Sequence, residues 1–529
     1  MVIEMDYIAE NDYRYATNLL IRANEQYWYP NSGITKDEGW IYVLHDVHVR
    51  FSLCILEDLV AKGLQERERL PIAGIISGRK DYLMEMVDQI DKSFDIEQSF
   101  CPSYRDYNSP EIEKKAEELA SETYGDKRKL IELTYRNVPF GDVLYDDILR
   151  GGDVRNRGKI FSCFDMSQEQ YRGFIRNALA AIDQAYEIFT AMPPCYLVTT
   201  EYFYTKGLYA HVAKALGAKI IITSIDFPDI VTWVNSDHGA LSEIKVADMI
   251  RAKMEKCLAG YQTNERTPEN LFVVDMKSAK KEGQILGLKN GKKNVFILLH
   301  AFGDAPREAS SLNFYYDSHE WFLDTMRIIQ NISNVNWIIK DHPWAAYYKQ
   351  EDYVKSIFEE YKTENMFWID NKFSGMNIKE VADCVITAAG DAGIEYWAYG
   401  IPTITVGDGY YCNWGISYQM KTLSEYETTL KNIRHIDRPS RQSMELAKRY
   451  LTAYKDYYKG DPYSELLRKL SLEEDAAVSK GGGAFGMKDD IDRQMGKATL
   501  AFAETYAALL QEKDLRSSAV YRLENTCEV

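Results

Sequence analysis

Short apolar runs alternate with segments of helical periodicity along most of the chain. The runs are rich in β-branched and aromatic residues and are bounded by glycine or polar residues, as buried strands are. In the first half they occupy residues 40–44, 70–76, 195–200 and 218–223. Apolar positions at helical spacing cover residues 49–62, 110–135, 167–190 and 204–216. This alternation predicts βαβ units, and therefore a parallel sheet.

The alternation restarts in the second half of the chain. Strands are predicted at residues 294–299, 335–340, 366–369, 384–387 and 402–406. Helices are predicted at residues 320–331, 351–361, 377–382 and 392–399. A strand every ~20–40 residues, in most cases followed by a helix, is typical of a doubly wound sheet.

We therefore expect an α/β protein with two Rossmann-like, doubly wound domains that face a cleft, which is the GT-B architecture. The expected boundaries are residues 1–275 for the first domain, 276–436 for the second and 437–529 for a charged, helical C-terminal tail. Fold alone does not decide function, because one fold supports many activities.

Composition and charge narrow the classes of protein that remain. Of the 529 residues, 46% are hydrophobic and 27% are charged, which is ordinary for a globular protein. There is no run of about 18 apolar residues, and the acidic start does not resemble a signal peptide. The formal net charge of −17 disfavours a nucleic-acid partner. The eight cysteines form no CxxC pair and fit reduced thiols. We expect a cytoplasmic protein, at most peripheral to the inner face of the cell membrane.

Candidate chemistry lies at the predicted strand ends of the second domain, where open α/β sheets bind ligands. His300 and His342 each follow a strand, and Pro343 constrains the turn after His342. The imidazole of His342 can donate a hydrogen bond to a phosphoryl oxygen, and Lys340 adds positive charge beside it. We expect a local positive potential around Lys340, His342 and Arg307 despite the negative total charge.

A run of small residues follows the strand at 384–387 and opens a helix. In it, Thr387, Ala389 and Gly390 let a phosphate approach the backbone amides. Glu395 lies about one helical turn further on, where a carboxylate can accept hydrogen bonds from a ribose diol. A tight turn with an acid near the positive end of a helix would have the same sequence.

Three segments together resemble the capsule polysaccharide biosynthesis/export family, which includes bacterial β-Kdo transferases that use CMP-Kdo. The segments are Ile339–Trp344 (IKDHPW), Val385–Pro402 (VITAAGDAGIEYWAYGIP) and Gly407–Gly415 (GDGYYCNWG). The resemblance covers roughly residues 290–420. It implies a GT-B glycosyltransferase whose His-Pro element holds the phosphate of a CMP-linked, Kdo- or sialic-acid-like donor. Ala388 stands where the family has a second serine.

The first domain is expected to bind the acceptor. His45 and Asp46 follow a predicted strand and could act as a general base for an acceptor hydroxyl, and Glu201 follows another strand. The resemblance implies an acidic nucleophile after a strand of this domain, and Asp226 is the nearest candidate by position. Arg307, after the first strand of the second domain, could neutralise donor charge.

The expected function is transfer of a sugar from a nucleotide-sugar donor to a growing bacterial surface polysaccharide. The expected partners are that donor, a glycan or glycolipid acceptor, and the inner-membrane surface or capsule assembly proteins. No metal ion or other cofactor is expected, because side chains and a helix terminus would stabilise the leaving phosphate. Two alternatives stay open: a CDP-alditol phosphotransferase of teichoic-acid type, and a nonenzymatic assembly or export partner.

Overall fold

The protein is described by a computed structural model. It describes residues 2–28, 33–35, 38–47, 51–78, 81–96, 98–104, 107, 109–151, 162–200, 202–223, 232–234, 241, 244–260, 291–307, 312–343, 345–369, 373, 375–456, 497, 499–508, 510 and 527–528. No helix among these residues combines the length and apolar character needed to cross a membrane.

The chain forms two compact units. Unit 1 comprises Met1–Asp147, Ser167–Ile244 and Tyr458–Val529, and unit 2 comprises Ile148–Met166 and Lys245–Tyr457. The predicted boundary at residue 275 lies outside the described residues.

The elements up to residue 244 alternate between strands and helices. The helices are α1 (Val2–Tyr27), α2 (Phe51–Glu68), α3 (Asp81–Ser93), α4 (Pro110–Thr123), α5 (Lys127–Ile131), α6 (Gly141–Arg150), α7 (Gln168–Ala191) and α8 (Tyr204–Ala215). The strands are β1 (Trp40–Val47), β2 (Ile72–Gly78), β3 (Gln98–Phe100), β4 (Thr134–Tyr135), β5 (Val138–Pro139), β6 (Pro194–Thr199), β7 (Lys219–Ile222) and β8 (Thr232–Val234). A capping box between Ser167 and Gln170 begins α7, where each side chain bonds the other residue's backbone amide.

The elements of the second half follow the same rhythm. The helices are α9 (Val246–Gly260), α10 (Ser318–Ile329), α11 (Ala345–Tyr348), α12 (Glu351–Tyr361), α13 (Gly375–Val381), α14 (Ala392–Ala398), α15 (Leu423–Lys431) and α16 (Arg441–Asp456). The strands are β9 (Asn294–Leu298), β10 (Asn336–Lys340), β11 (Met366–Ile369), β12 (Cys384–Thr387), β13 (Thr403–Thr405), β14 (Tyr418–Gln419) and β15 (Cys527–Glu528). Residues 499–508 are also helical.

The sheet of unit 2 has six parallel strands in the order β11-β10-β9-β12-β13-β14. Numbered from its first strand, this is the 3-2-1-4-5-6 order of the Rossmann fold. Alternate residues of each strand enter two separate cores: Val295 and Ile297 lie in one, and Phe296 lies in the other. Both faces are therefore covered, as a parallel sheet requires.

The sheet of unit 1 has seven strands in the order β15-β8-β7-β6-β1-β2-β3. Neighbours from β3 to β7 are parallel, β7 and β8 are antiparallel, and β15 is parallel to β8. The five parallel strands repeat the 3-2-1-4-5 order. The predicted α/β class with two Rossmann-like, doubly wound sheets is thus confirmed.

The segment predicted as a helical C-terminal tail is divided between the two units. The helix α16 packs against α14 and α9 of unit 2 and buries Tyr450 and Leu451. Residues 499–508 belong to unit 1, where Tyr506 is buried and donates a hydrogen bond to Asn24. Apolar positions on these segments therefore form part of the cores of the two units.

Candidate functional site

A cavity of about 200 Å³ lies in unit 2 at the carboxyl edge of its sheet. The strand order reverses between β9 and β12, so this edge is the switch point where doubly wound sheets bind ligands. The residues that follow these two strands and β10 line the cavity, together with a later loop: His300, His342, Ala388, Ala389, Asp391 and Tyr410.

His300 follows β9 and faces the loop after β12. Its Nε2 accepts a hydrogen bond from the backbone amide of Ala389 at 3.3 Å and lies 3.2 Å from the hydroxyl of Thr387. An Nε2 that accepts from an amide carries no proton, so the ring is neutral and the proton sits on Nδ1. Burial lowers the pKa of His300 to about 4, which agrees with this neutral state.

His342 lies two residues beyond the end of β10. Its ring is nearly parallel to that of His300, at 21°, with the ring centroids 6.3 Å apart. Burial, the neighbouring His300 and the charge of Lys340 lower the pKa of His342 to about 3. The cavity therefore contains two neutral imidazoles, which can donate hydrogen bonds without requiring a counter-ion.

Gln350 joins the ends of β9 and β10. Its amide nitrogen donates to the carbonyl of His300 at 2.9 Å and to Oδ1 of Asp341 at 2.8 Å, while its amide oxygen accepts from the amide of Phe302 at 2.9 Å. The same Oδ1 of Asp341 accepts from the amide of His342. One buried side chain thus fixes the backbone at both histidines.

The loop after β12 approaches His300 closely. A Cβ added at Gly390 would lie 3.1 Å from Nε2 of His300, so glycine leaves room for the imidazole there. The hydroxyl of Tyr411 donates a hydrogen bond to the carbonyl of Gly390 at 2.7 Å, which fixes the position of the loop. Among the hydrogen bonds of the described residues, none uses the amide of Gly390 or Asp391. Two backbone donors are therefore available beside the two imidazoles.

Asp391 and Asp304 are acidic residues that line the cavity. The hydroxyl of Tyr410 donates to Oδ1 of Asp391 at 2.7 Å, and burial raises the pKa of this carboxyl. Arg251 lies nearby: its guanidinium contacts the carbonyl of Gly409 at 3.2 Å and pairs with Asp408. A hydroxyl-bearing ligand could therefore find an acceptor in Asp391.

The remaining residues proposed for donor binding are not among those that line the cavity. Lys340, Thr387 and Glu395 are buried, and Pro343 is exposed. Arg307 donates to the carbonyl of Tyr316 at 3.3 Å. A contact between Glu395 and a ribose stays a prediction.

The structure places His45 away from any acceptor. The strand β1 runs three residues further than predicted, so His45 lies inside the strand and is fully buried. Its Nδ1 is 2.6 Å from Glu57. A sealed imidazole cannot take a proton from an acceptor hydroxyl, and the general-base interpretation of His45 is corrected accordingly. The side chain of Asp46, and Glu201 and Asp226 altogether, lie outside the described residues.

Three residues of the site were not proposed from the sequence as binding residues. Asp391 lies within the small-residue loop, and Tyr410 lies within the resembling Gly407–Gly415 segment, so both had a signal. Gln350 had none, because nothing in the sequence around a glutamine between two helices indicates that it joins two strand ends.

The sequence matches no known protein-family model and no curated protein. Solved structures do match. The β-Kdo 2,4-transferase KpsC of Thermosulfurimonas dismutans is 13% identical, with 49% of this chain and 78% of that chain covered and a TM-score of 0.27. The UDP-GlcNAc 2-epimerase of Neisseria meningitidis, bound to UDP-GlcNAc, is 12% identical, with 78% and 99% covered and a TM-score of 0.20. The O-GlcNAc transferase of Thermobaculum terrenum is 10% identical, with 93% and 74% covered and a TM-score of 0.26.

These neighbours include β-Kdo transferases, the class of protein that the three sequence segments resemble. At identities of 10 to 13% and TM-scores of 0.20 to 0.27, they carry no argument about this chain. The function proposed below therefore rests on the residues of this chain.

Proposed function

We propose that the protein is a glycosyltransferase and that unit 2 binds the phosphate of a nucleotide-activated sugar. The observation that supports this most is the position of two neutral histidines beside the Gly390–Asp391 loop, at the switch point of a Rossmann-order sheet. Open α/β sheets bind nucleotides at this place, and neutral N–H donors are suited to a phosphate.

In the proposed mechanism, the imidazole of His342 and the two loop amides donate hydrogen bonds to the donor phosphate. Negative charge grows on this phosphate as the glycosidic bond breaks, so donors held in place beforehand stabilise the transition state more than the bound donor. Lys340, whose charge is one of the causes that lower the pKa of His342, would add positive charge close to this phosphate. Gln350 holds the strand ends in position. The proposal assigns no metal ion or other cofactor to this step.

The finer proposal is a CMP-linked, Kdo- or sialic-acid-like donor and a growing bacterial surface or capsular polysaccharide as acceptor. It is supported by the Lys-Asp-His-Pro run at residues 340–343 and by the glycine-rich loop at 387–395. A glycan or glycolipid acceptor would place the enzyme at the cytoplasmic face of the membrane. Acid or base groups for the acceptor are proposed among Asp46, Glu201 and Asp226.

A thermal-shift and calorimetry screen with CMP, CDP, UDP and GDP tests donor binding. We expect CMP to bind and to stabilise the protein by ~2.7 kcal/mol at about 100 times its dissociation constant. Stabilisation by none of the four nucleotides would contradict the proposed function, and stabilisation by another one alone would contradict the CMP assignment.

Replacement of His342 by alanine tests its role in turnover. We expect a loss of ~100- to 1000-fold in kcat, the usual effect of removing one preorganised donor, with little change in the melting temperature. The matched control is His435→Ala, because His435 is an exposed histidine of the same unit. Steady-state kinetics and melting curves of both variants decide the point. Near-normal turnover in a folded His342→Ala protein would contradict the assignment of His342 to the donor phosphate.

A further inference from the structure

A buried cluster of ionisable groups in unit 1 takes no part in the proposed reaction. It lies where β1 meets α2 and α3 and contains His45, Glu57, Asp58 and Asp91, with Cys54 beside them. His45, Asp58 and Asp91 have no exposed surface, and Glu57 is 2% exposed. Carboxylates are rarely buried to this extent unless a counter-charge accompanies them.

The imidazole of His45 stands between the carboxylates. Its Nδ1 lies 2.6 Å from Oε2 of Glu57, and its Nε2 lies 3.2 Å from Oδ1 of Asp58 and 3.2 Å from Oδ1 of Asp91. The other oxygen of Glu57 accepts the backbone amide of Thr200 at 2.6 Å. Both oxygens of Glu57 therefore have a partner, whereas the oxygens of Asp58 and Asp91 on the other side of the ring do not.

The Asp58–Asp91 side lacks hydrogen-bond partners. Nε2 of His45 and both oxygens of Asp58 and Asp91 are buried without a hydrogen bond among the described residues. A Cβ added at Gly74 would lie 2.8 Å from Oδ2 of Asp91, so glycine keeps space open beside this carboxylate. Unpaired buried polar atoms are costly, and five such atoms in one cluster, four oxygens and one nitrogen, require an explanation.

The charges of the cluster do not balance. The described residues place no lysine or arginine in an ion pair with any of the three carboxylates. A protonated His45 would offset one negative charge and leave two.

We propose that this cluster is a structural binding site for a divalent metal ion of the zinc type, with His45 Nε2, Asp58 and Asp91 as its ligands. An imidazole nitrogen with two carboxylates is a donor set suited to zinc and related first-row metals. The ion would supply the missing positive charge and join one strand to two helices.

The spacing of the donor atoms fits such an ion. Ligands at about 2.0–2.2 Å from a tetrahedral zinc ion are about 3.3–3.6 Å from each other. The two distances from Nε2 are 3.2 Å each, and the three donor atoms lie within 4.8 Å of one another.

The Glu57 side would orient the ligand. A metal-bound histidine usually donates its other ring N–H to a carboxylate, which fixes the ring. Here Nδ1 would donate to Glu57, itself held by the amide of Thr200. The same ring then contacts the metal on one side and the carboxylate on the other, without a change of position.

The test measures metal content and stability in the full chain. Protein treated with EDTA is dialysed against micromolar zinc chloride, and bound zinc is measured by mass spectrometry. We expect one zinc ion per chain that survives gel filtration, and a melting temperature about 5–10 °C above that of the EDTA-treated protein.

Two variants and one control assign the ion to this cluster. Asp91→Asn and Asp58→Asn should lose the bound zinc and the zinc-dependent rise in melting temperature. Asp88→Asn should retain both, because Asp88 lies on the same helix as Asp91 but pairs with Lys92 at the surface. The asparagine variants remove a buried negative charge, so their EDTA-treated forms should melt at or above the wild-type temperature.

The result of this test does not depend on whether unit 2 binds a nucleotide-sugar donor. A wild-type protein that holds no zinc, and whose melting temperature zinc does not change, would overturn the proposal even if the Asn variants failed to fold. Equal zinc content in the wild type and in Asp91→Asn would also overturn it, since the metal would then lie elsewhere, for example on cysteines.

Discussion

The imidazoles of His300 and His342 are kept neutral by their surroundings, and this makes stability depend on pH. The folded pKa values are about 4 and about 3, against 6.5 ordinarily. Below pH 6.5 the unfolded chain binds protons that the folded site excludes. The stabilisation is therefore complete above pH 6.5 and is lost as the pH falls towards 4.

We expect each histidine to lower the free energy of unfolding by about 1–2 kcal/mol between pH 7 and pH 5. His300→Gln, which keeps a hydrogen-bond acceptor, should reduce the slope of stability against pH. Urea unfolding curves at the two pH values measure this, with His435→Gln as the exposed control. An unchanged slope in His300→Gln would contradict the neutral, buried state of the ring.

Gln350 is expected to matter more than a polar residue between two helices usually does. Gln350→Leu would leave the buried amide of Phe302 without its partner and would remove one of two hydrogen bonds to Oδ1 of Asp341, at a cost of about 3 kcal/mol in stability. The control is Gln330→Leu, at the end of α10, whose side chain bonds the carbonyl of Arg327. There we expect a change within about 0.5 kcal/mol. Chemical denaturation of both variants compares them.

At the level of single residues, the sequence predicted the histidines at strand ends because that prediction needs only a strand and the residue after it. The prediction that His45 follows a strand and acts as a general base was wrong, because β1 continues to Val47 and His45 is buried within it. It gave no signal for Gln350, whose three hydrogen bonds join segments that are distant in the chain.

Among the elements, the helix α14 depends on close packing against the loop after β13. A Cβ added at Gly393 would lie 1.9 Å from the hydroxyl oxygen of Tyr411, which holds the carbonyl of Gly390. We expect Gly393→Ala to cost about 2–3 kcal/mol in stability and to weaken nucleotide binding, because the ring must move and release the loop. Melting curves and nucleotide titrations measure the two effects.

The matched control for Gly393→Ala is Gly173→Ala. Gly173 lies in α7, where an added Cβ meets nothing within 4 Å. There alanine should stabilise the helix by roughly 0.5–1 kcal/mol. If both variants behaved alike, the close approach of Tyr411 would not explain the effect.

The strands and helices themselves were largely predictable, because apolar periodicity is a local property of the sequence. Their order in the sheets was not, since it depends on which strands pair over long separations. The antiparallel strand β8 and the pairing of β15 with it, across almost 300 residues, had no local signal.

For the molecule as a whole, the formal net charge of −17 opposes the approach of an anionic donor. Salt screens this long-range repulsion, with a Debye length of ~10 Å at 0.1 M, but has less effect on contacts inside the cavity. We therefore expect the association rate of the nucleotide to rise a few-fold between ~0.01 M and ~0.15 M salt, with a smaller change in the dissociation rate. Stopped-flow binding measures both rates. An association rate that falls with salt would contradict the prediction that the net negative charge controls the approach of the nucleotide.

The return of residues 499–508 and β15 to unit 1 has a consequence for synthesis on the ribosome. The hydroxyl of Tyr506 bonds Asn24 and accepts from Trp28, so the core around α1 is complete only when residue 506 has been translated. All of unit 2, which ends at Tyr457, emerges earlier. The half of the protein that is made first is therefore the half that finishes folding last, and its open core must be shielded from aggregation until translation has passed residue 506.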